Sequence, residues 1–290
     1  MLTLASLNAC LTGRGMIIIA AGGETNTMNK RVQHQIALDA LWSDAPALLE
    51  YLAAQSNLPG PRGNLEMMAA FADLAGVHGA DAWPLLERLA AVSADEAPTN
   101  DPREVLPCCA AQGFGAVGAA VPAQRERALA ALRVMAIDAR WRTRESVAMG
   151  LQRLLVADFE ATALVVAGWA RSGDPLVMRA AVAGLAEPAV LTDSARAGCA
   201  LDAMACALDW LRAPPAERRR DEPVRTLRQA LGYALSVATA ADPEGGFALM
   251  SRAAAWGDRD VDWVLKQNLS KRRLAAWPER VAQVMGRLRA

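Results

Sequence analysis

Asp202 and Asp209, seven residues apart, come nearest in this chain to a paired-carboxylate arrangement. On a helix that spacing puts both on one face, about 10 Å apart along the axis, too far to share a proton or grip one ion directly. Arg196 and Arg212 lie close by in sequence, so solvated ion pairs are the first expectation and a catalytic role the second. The rings are more unusual: eight tryptophans stand against two tyrosines and four phenylalanines. Trp169, Trp210 and Trp256 fall toward the C-terminal ends of expected helices. Such rings either line a groove as an aromatic ledge or plug the seams between neighbouring helices. Trp256 and Asp260 are four residues apart. The candidate binding set is therefore Trp169, Asp202, Asp209, Trp210, Arg212, Trp256 and Asp260.

Other chemistry is poorly supplied. The chain lacks G-x-S-x-G, H-E-x-x-H and G-x-x-x-x-G-K-[ST] patterns, and two histidines, His34 and His78, cannot build a metal cluster by spacing. No metal and no cofactor are expected. Gly113-Phe-Gly-Ala-Val-Gly118 has the look of a phosphate loop but lies inside a predicted helix with no strand before it, so close helix packing explains it better. Five cysteines, with no C-x-x-C, argue against a disulfide framework. Adjacent Cys108 and Cys109 read as small buried hydrophobes with reduced thiols, which points to a cytoplasmic protein.

The elements that position these residues are helices. Of 290 residues, 53% are hydrophobic but 5% aromatic, so alanine, leucine and valine carry the apolar content. That composition favours closely packed helices, and no alternating β-branched run announces a sheet. Formal net charge is zero, with a mild tilt from an acidic 28–100 to a basic 101–290. Nothing in that balance compels binding to nucleic acid or an anionic membrane. Heavy arginine and alanine usage suggests a GC-rich bacterial genome. No run approaches the roughly 18 apolar residues that span a bilayer, so no membrane partner is expected.

A register of about 37 residues runs through the chain. Candidate helix caps occur at Thr27, Asn64, Asp101, Asp138, Asp174, Asp221 and Asp260, at intervals of 37, 37, 37, 36, 47 and 39. Each interval holds two helices and a turn, with second helices starting near Asp44, Asp81, Gln124, Asp158, Thr192, Asp242 and Pro278. Residues 28–290 then form one domain. Residues 1–27 stand outside the register, and Met28 is a candidate initiator, so 1–26 are expected to be poorly ordered or absent from the native protein. Ala213–Asp221, with two prolines and Arg218-Arg219-Arg220, accounts for the long interval as an exposed, mobile loop. Ser56–Asn64, with its Pro-Gly-Pro-Arg-Gly core, reads as a structural turn or a binding loop.

Asp138-x-x-Trp141-x-x-Arg144-x-x-Val147 matches Asp260-x-x-Trp263-x-x-Lys266-x-x-Leu269 without gaps, and Arg179 and Val182 echo it one residue out of step after Asp174. This order resembles the first helix of HEAT repeats over essentially 28–290. The resemblance implies an all-α, right-handed α-α superhelix of about seven helix pairs, an armadillo/HEAT-type solenoid. It also implies acidic–basic ladders between repeats and a concave face lined by second helices. One HEAT-like branch, the alkylpurine glycosylases of DNA alkylation repair, uses tryptophans with an aspartate and an arginine, and Trp256-Gly-Asp-Arg-Asp260 has its tryptophan–aspartate spacing. The leading expectation is a non-enzymatic scaffold binding a protein or peptide in its groove. DNA binding of the glycosylase type is the second, and an arginine-lined concavity would favour it.

Overall fold

A computed structural model describes residues 9–12, 15–19, 25–27 and 29–288, with side chains from Asn29 onward. From Asn29 to Leu288 the described chain is helix and turn throughout, an all-α body. Its helices are α1 (Lys30–Leu41), α2 (Ala45–Ala54), α3 (Leu65–His78), α4 (Trp83–Ala90), α5 (Val105–Ala120), α6 (Arg125–Met135) and α7 (Trp141–Ala157). They continue as α8 (Phe159–Trp169), α9 (Pro175–Leu185), α10 (Ser194–Arg212), α11 (Glu222–Ala241), α12 (Pro243–Ala254), α13 (Arg259–Leu269) and α14 (Pro278–Met285). No described helix is long and apolar enough to cross a membrane.

Before the body, three short strands, β1 (Ala9–Thr12), β2 (Gly15–Ile19) and β3 (Thr25–Thr27), pair antiparallel in that order. Thr27 therefore ends a strand rather than capping a helix, and the first helix is capped by Asn29, whose side chain accepts from Arg31 N at 2.9 Å. The isoleucine run that forms β2 suits a pleated strand. The remainder of the expectation for 1–26 lies outside the described residues.

Local capping chemistry accounts for most other boundaries. Asp44, Asn64, Asp158, Asp174 and Asp242 each accept a backbone N–H of their own first turn, satisfying donors that no intrahelical carbonyl reaches. Asp193 rather than Thr192 caps α10, and Asp258 rather than Asp260 caps α13. Near Asp81 a 3-10 turn (Gly79–Ala82) precedes α4, with Ala82 at the cap position. Trp141 is the first residue of α7, whereas Trp263 is the fifth of α13. The two gapless sequence matches thus sit about one turn out of register in space.

The helices form two layers. The odd-numbered ones pack in chain order, α1 on α3, α3 on α5, and so on to α13; α10 packs against α8 and α12 in the other layer, and α12 against α14. One hydrophobic cluster runs from Leu38 to Val284 between them. The tightest seam is α5 on α7, where Gly115 and Gly150 meet: a Cβ at Gly115 would lie 2.5 Å from Gly150 Cα, and one at Gly150 would lie 2.5 Å from Ala111 O. The glycines of 113–118 are thus packing devices in a helix buried nearly all round, as expected.

Arginines stitch the odd-numbered layer together. Arg140 donates to the carbonyls of Val92, Ser93 and Ala97 at 2.9–3.1 Å. Arg142 reaches buried Glu104 (3.0 Å), Asn100 Oδ1 (3.0 Å) and Gly60 O (2.5 Å), which fastens the 56–64 segment as a structural turn. Arg228 of α11 pairs with Asp260 of α13. The 213–221 segment is less free than its charge run suggests. Arg218 and Arg220 are exposed, but Arg219 donates to Arg212 O, Pro214 O, Asp258 and Asp260 at 2.7–3.2 Å. Two acidic side chains at the start of α13 hold its guanidinium, a tie that a linear reading of three arginines cannot show.

Candidate functional site

A cleft of about 710 Å³ lies across α7, α9 and α11. The two longer helices, α7 and α11, flank the shorter α9, and the segment after α9 closes one end. The first helices of the pairs therefore build it, not the second helices.

Its polar floor is an interlocked set. Arg179 of α9 is almost wholly buried, with its side chain 6% exposed; it donates to Arg144 O at 2.6 Å and pairs with Glu145, half of whose side chain faces solvent. Burial pulls the Arg179 guanidinium below its usual pKa, while Glu145 opposes that shift. Arg144, also buried, donates to the carbonyls of Asp138 and Ala139 at 2.8 and 3.1 Å and to Glu222 Oε1 at 2.8 Å. The same Glu222 oxygen accepts from Thr226 at 3.1 Å. Gln152 is held by Ala183 O. Arg225 and Glu187 complete the charged lining, which carries three arginines and three glutamates and is formally neutral.

Aromatic walls rise at either side. Trp141 on α7 is 43% exposed and Tyr233 on α11 is 51% exposed, unusual for rings in a chain that buries so much else. One face of each is already occupied: the Arg142 guanidinium lies 4.3 Å from the Trp141 ring centre and that of Arg273 lies 4.5 Å from Tyr233. Beyond Tyr233 a smaller hollow of about 420 Å³ continues the concavity, sharing Pro188 and Tyr233 and adding Leu191, Val237 and Ala241.

The candidate set from the sequence lies elsewhere. Trp169 is 4% exposed at the end of α8, with Arg133 beside it, so it is a seam plug and not a ledge. Trp210 is partly buried and borders a separate hollow with Ile137, Pro175 and Pro223. Trp256 is partly buried beneath Arg212, whose guanidinium is 4.3 Å from its ring centre. Asp209 pairs with Arg212 and is exposed; Asp202 rims a shallow hollow between α8 and α10. Asp260 is buried between Arg219 and Arg228, which makes it structural. These residues do not form one groove. Trp141, Arg144 and Arg179 were visible as a repeating helix pattern, but nothing local set them apart as cleft residues, and Glu145 and Tyr233 carried no signal.

The adjacent cysteines meet the expectation of buried hydrophobes. Desolvation pushes the Cys108 thiol up to about 12, and Cys109 rises for the same reason. No group of three or more histidine, cysteine or acidic side chains that could hold a metal occurs among the described residues.

No family model and no curated protein matches the chain. Among solved structures, the crystal structure of an engineered protein is similar at 15% identity and a TM-score of 0.35, covering 89% of this chain and 98% of that one.

Proposed function

We propose that this chain is a HEAT-type α-solenoid, with the right-handed superhelix of that family, acting as a non-enzymatic scaffold that binds a protein or peptide segment in the cleft across α7, α9 and α11. The single observation that carries the reading is the state of the cleft's arginines. Arg144 and Arg179 are buried and already donate to backbone carbonyls and to glutamates, so they offer little to a phosphate. Phosphate binding needs free cations in excess, and this lining is neutral. Half-exposed Trp141 and Tyr233 are instead the large side chains on which polypeptide binding energy concentrates. An affinity capture from the source cell, with and without nuclease, tests this. A protein partner retained after nuclease and lost on Trp141→Ala or Tyr233→Ala supports it; capture that disappears with nuclease refutes it.

A second reading rests on one specific feature. Trp141, Glu145 and Arg179 line one cleft with a tryptophan, a carboxylate and an arginine, where the DNA alkylation repair glycosylases that the sequence resembles use tryptophans with an aspartate and an arginine. A carboxylate fixed beside an aromatic wall is suited to stabilising the cationic sugar left as an alkylated base departs. Release of an alkylated purine from duplex DNA by the purified protein, abolished by Glu145→Gln, would replace the scaffold reading.

A further inference from the structure

The cleft's hydrogen-bonding capacity is unevenly used, and the imbalance points to its occupant. Glu145 and Glu222 each give Oε1 to a buried arginine, leaving Oε2 free of any hydrogen bond among the described residues. Glu187, half-buried in the lining, has a side chain with no partner there. Against these three carboxylates stand Arg225, a lining cation without a partner, and Arg273, which lies over Tyr233 at the adjoining hollow with no carboxylate paired to it. A surface that is neutral by count is therefore an acceptor surface to an incoming ligand.

The rings sharpen this. Because Arg142 and Arg273 already cover one face of Trp141 and Tyr233, the open faces are poor seats for another bare cation but good ones for a methylene stem. Lysine and arginine have such stems, burying their carbons along apolar surface while the head reaches a polar site. Next to Tyr233 the smaller hollow is lined by Leu191, Val237 and Ala241, with Arg273 also in its lining, and its apolar part suits one aliphatic side chain.

We infer that the cleft recognises a basic polypeptide segment: a lysine or arginine whose stem lies on Trp141 or Tyr233 and whose head pairs with Glu145, Glu187 and Glu222, beside an aliphatic residue in the adjoining hollow. This rests on the polypeptide reading and narrows it to a cationic partner. Charge complementarity is the argument, and the other occupants become outcomes of its test.

Binding of fluorescein-labelled peptides of repeated Gly-Leu-Lys-Ser is followed by anisotropy, beside versions with glutamine or glutamate for lysine and a labelled DNA duplex. The lysine peptide should bind at least about tenfold tighter than the glutamine one, and the preference should shrink as salt is added. Glu187→Gln, which removes no hydrogen bond, should weaken lysine binding several-fold and leave the glutamine peptide unchanged. The double change Glu145→Gln and Glu222→Gln should abolish the preference; circular dichroism establishes that it is folded, and if it is not, the wild-type comparison and Glu187→Gln decide. Equal or tighter binding of the glutamine or glutamate peptide overturns the inference while leaving the polypeptide reading standing. Binding of none of the peptides overturns it too, and if the duplex binds instead the polypeptide reading falls with it.

Discussion

Gly115→Ala sets two physical effects against each other. In an exposed helix, alanine in place of glycine stabilises by about 1 kcal/mol, because the unfolded chain loses freedom. At Gly115 the new Cβ would stand 2.5 Å from Gly150 Cα and also against Gly150 O, all of it backbone. Carbon atoms rest about 3.5–4 Å apart, so α5 and α7 would have to part by about 1 Å along the most extensively packed seam of the body. Overpacking of this kind costs about 1–3 kcal/mol, and more where backbone rather than a side chain must yield. The expected net effect is destabilisation of about 2 kcal/mol despite the gain in helix propensity. Gly198 in α10 is the control, since a Cβ there meets nothing within 4 Å; Gly198→Ala should raise stability by up to about 1 kcal/mol. Urea unfolding followed by circular dichroism compares the midpoints of both variants with the parent. If Gly115→Ala is as stable as Gly198→Ala, glycine-mediated contact does not hold this seam and the account of residues 113–118 fails.

Other outcomes are equally definite. Iodoacetamide on the native protein should label exposed Cys199 rapidly and leave Cys108 and Cys109 unmodified until denaturant is added, as peptide mass spectrometry would show, because the thiolate is the nucleophile and burial suppresses it. His34 accepts from Asn64 Nδ2 at its Nε2 and meets Tyr51 Oη at its Nδ1; desolvation lowers its pKa below 6.5, although Glu66 pulls the other way. The folded state therefore prefers the neutral ring. Its stabilisation is complete above pH 6.5 and lost as pH falls through the folded value, so the urea midpoint should drop from about pH 7.5 to about pH 5.5 by more than it does in His34→Gln. Arg142→Met should cost about 3–5 kcal/mol in thermal or urea unfolding, because it leaves the fully buried Glu104 carboxylate without its cation; a loss below about 1 kcal/mol would contradict the pairing. Mild trypsin should cut at Arg218 or Arg220 and spare Arg219, and Arg219→Ala should speed cleavage of the segment by freeing it from Asp258 and Asp260.

What was legible in the sequence is what short-range chemistry controls. Asp44, Asn64, Asp158, Asp174 and Asp242 announce helix starts because a cap is made between a side chain and amides two or three residues on. Alanine and leucine in place of β-branched runs announce an all-α body, and Cys108, Cys109 and the glycines of 113–118 announce burial. Which side of the body a residue serves depends on contacts far away in the chain. Trp169 and Trp141 are both tryptophans near a helix end; Trp169 is sealed in a seam of the second layer, while Trp141 borders the cleft because shorter α9 stands between longer α7 and α11. Asp260 and Glu145 are both acidic residues on first helices, yet two arginines from elsewhere bury Asp260 in a tie, and Glu145 keeps an oxygen open to solvent. Exposure and partner belong to the packed neighbours and not to the residue, so the sequence determined the helices, and only their stacking decided which side chains line the cleft.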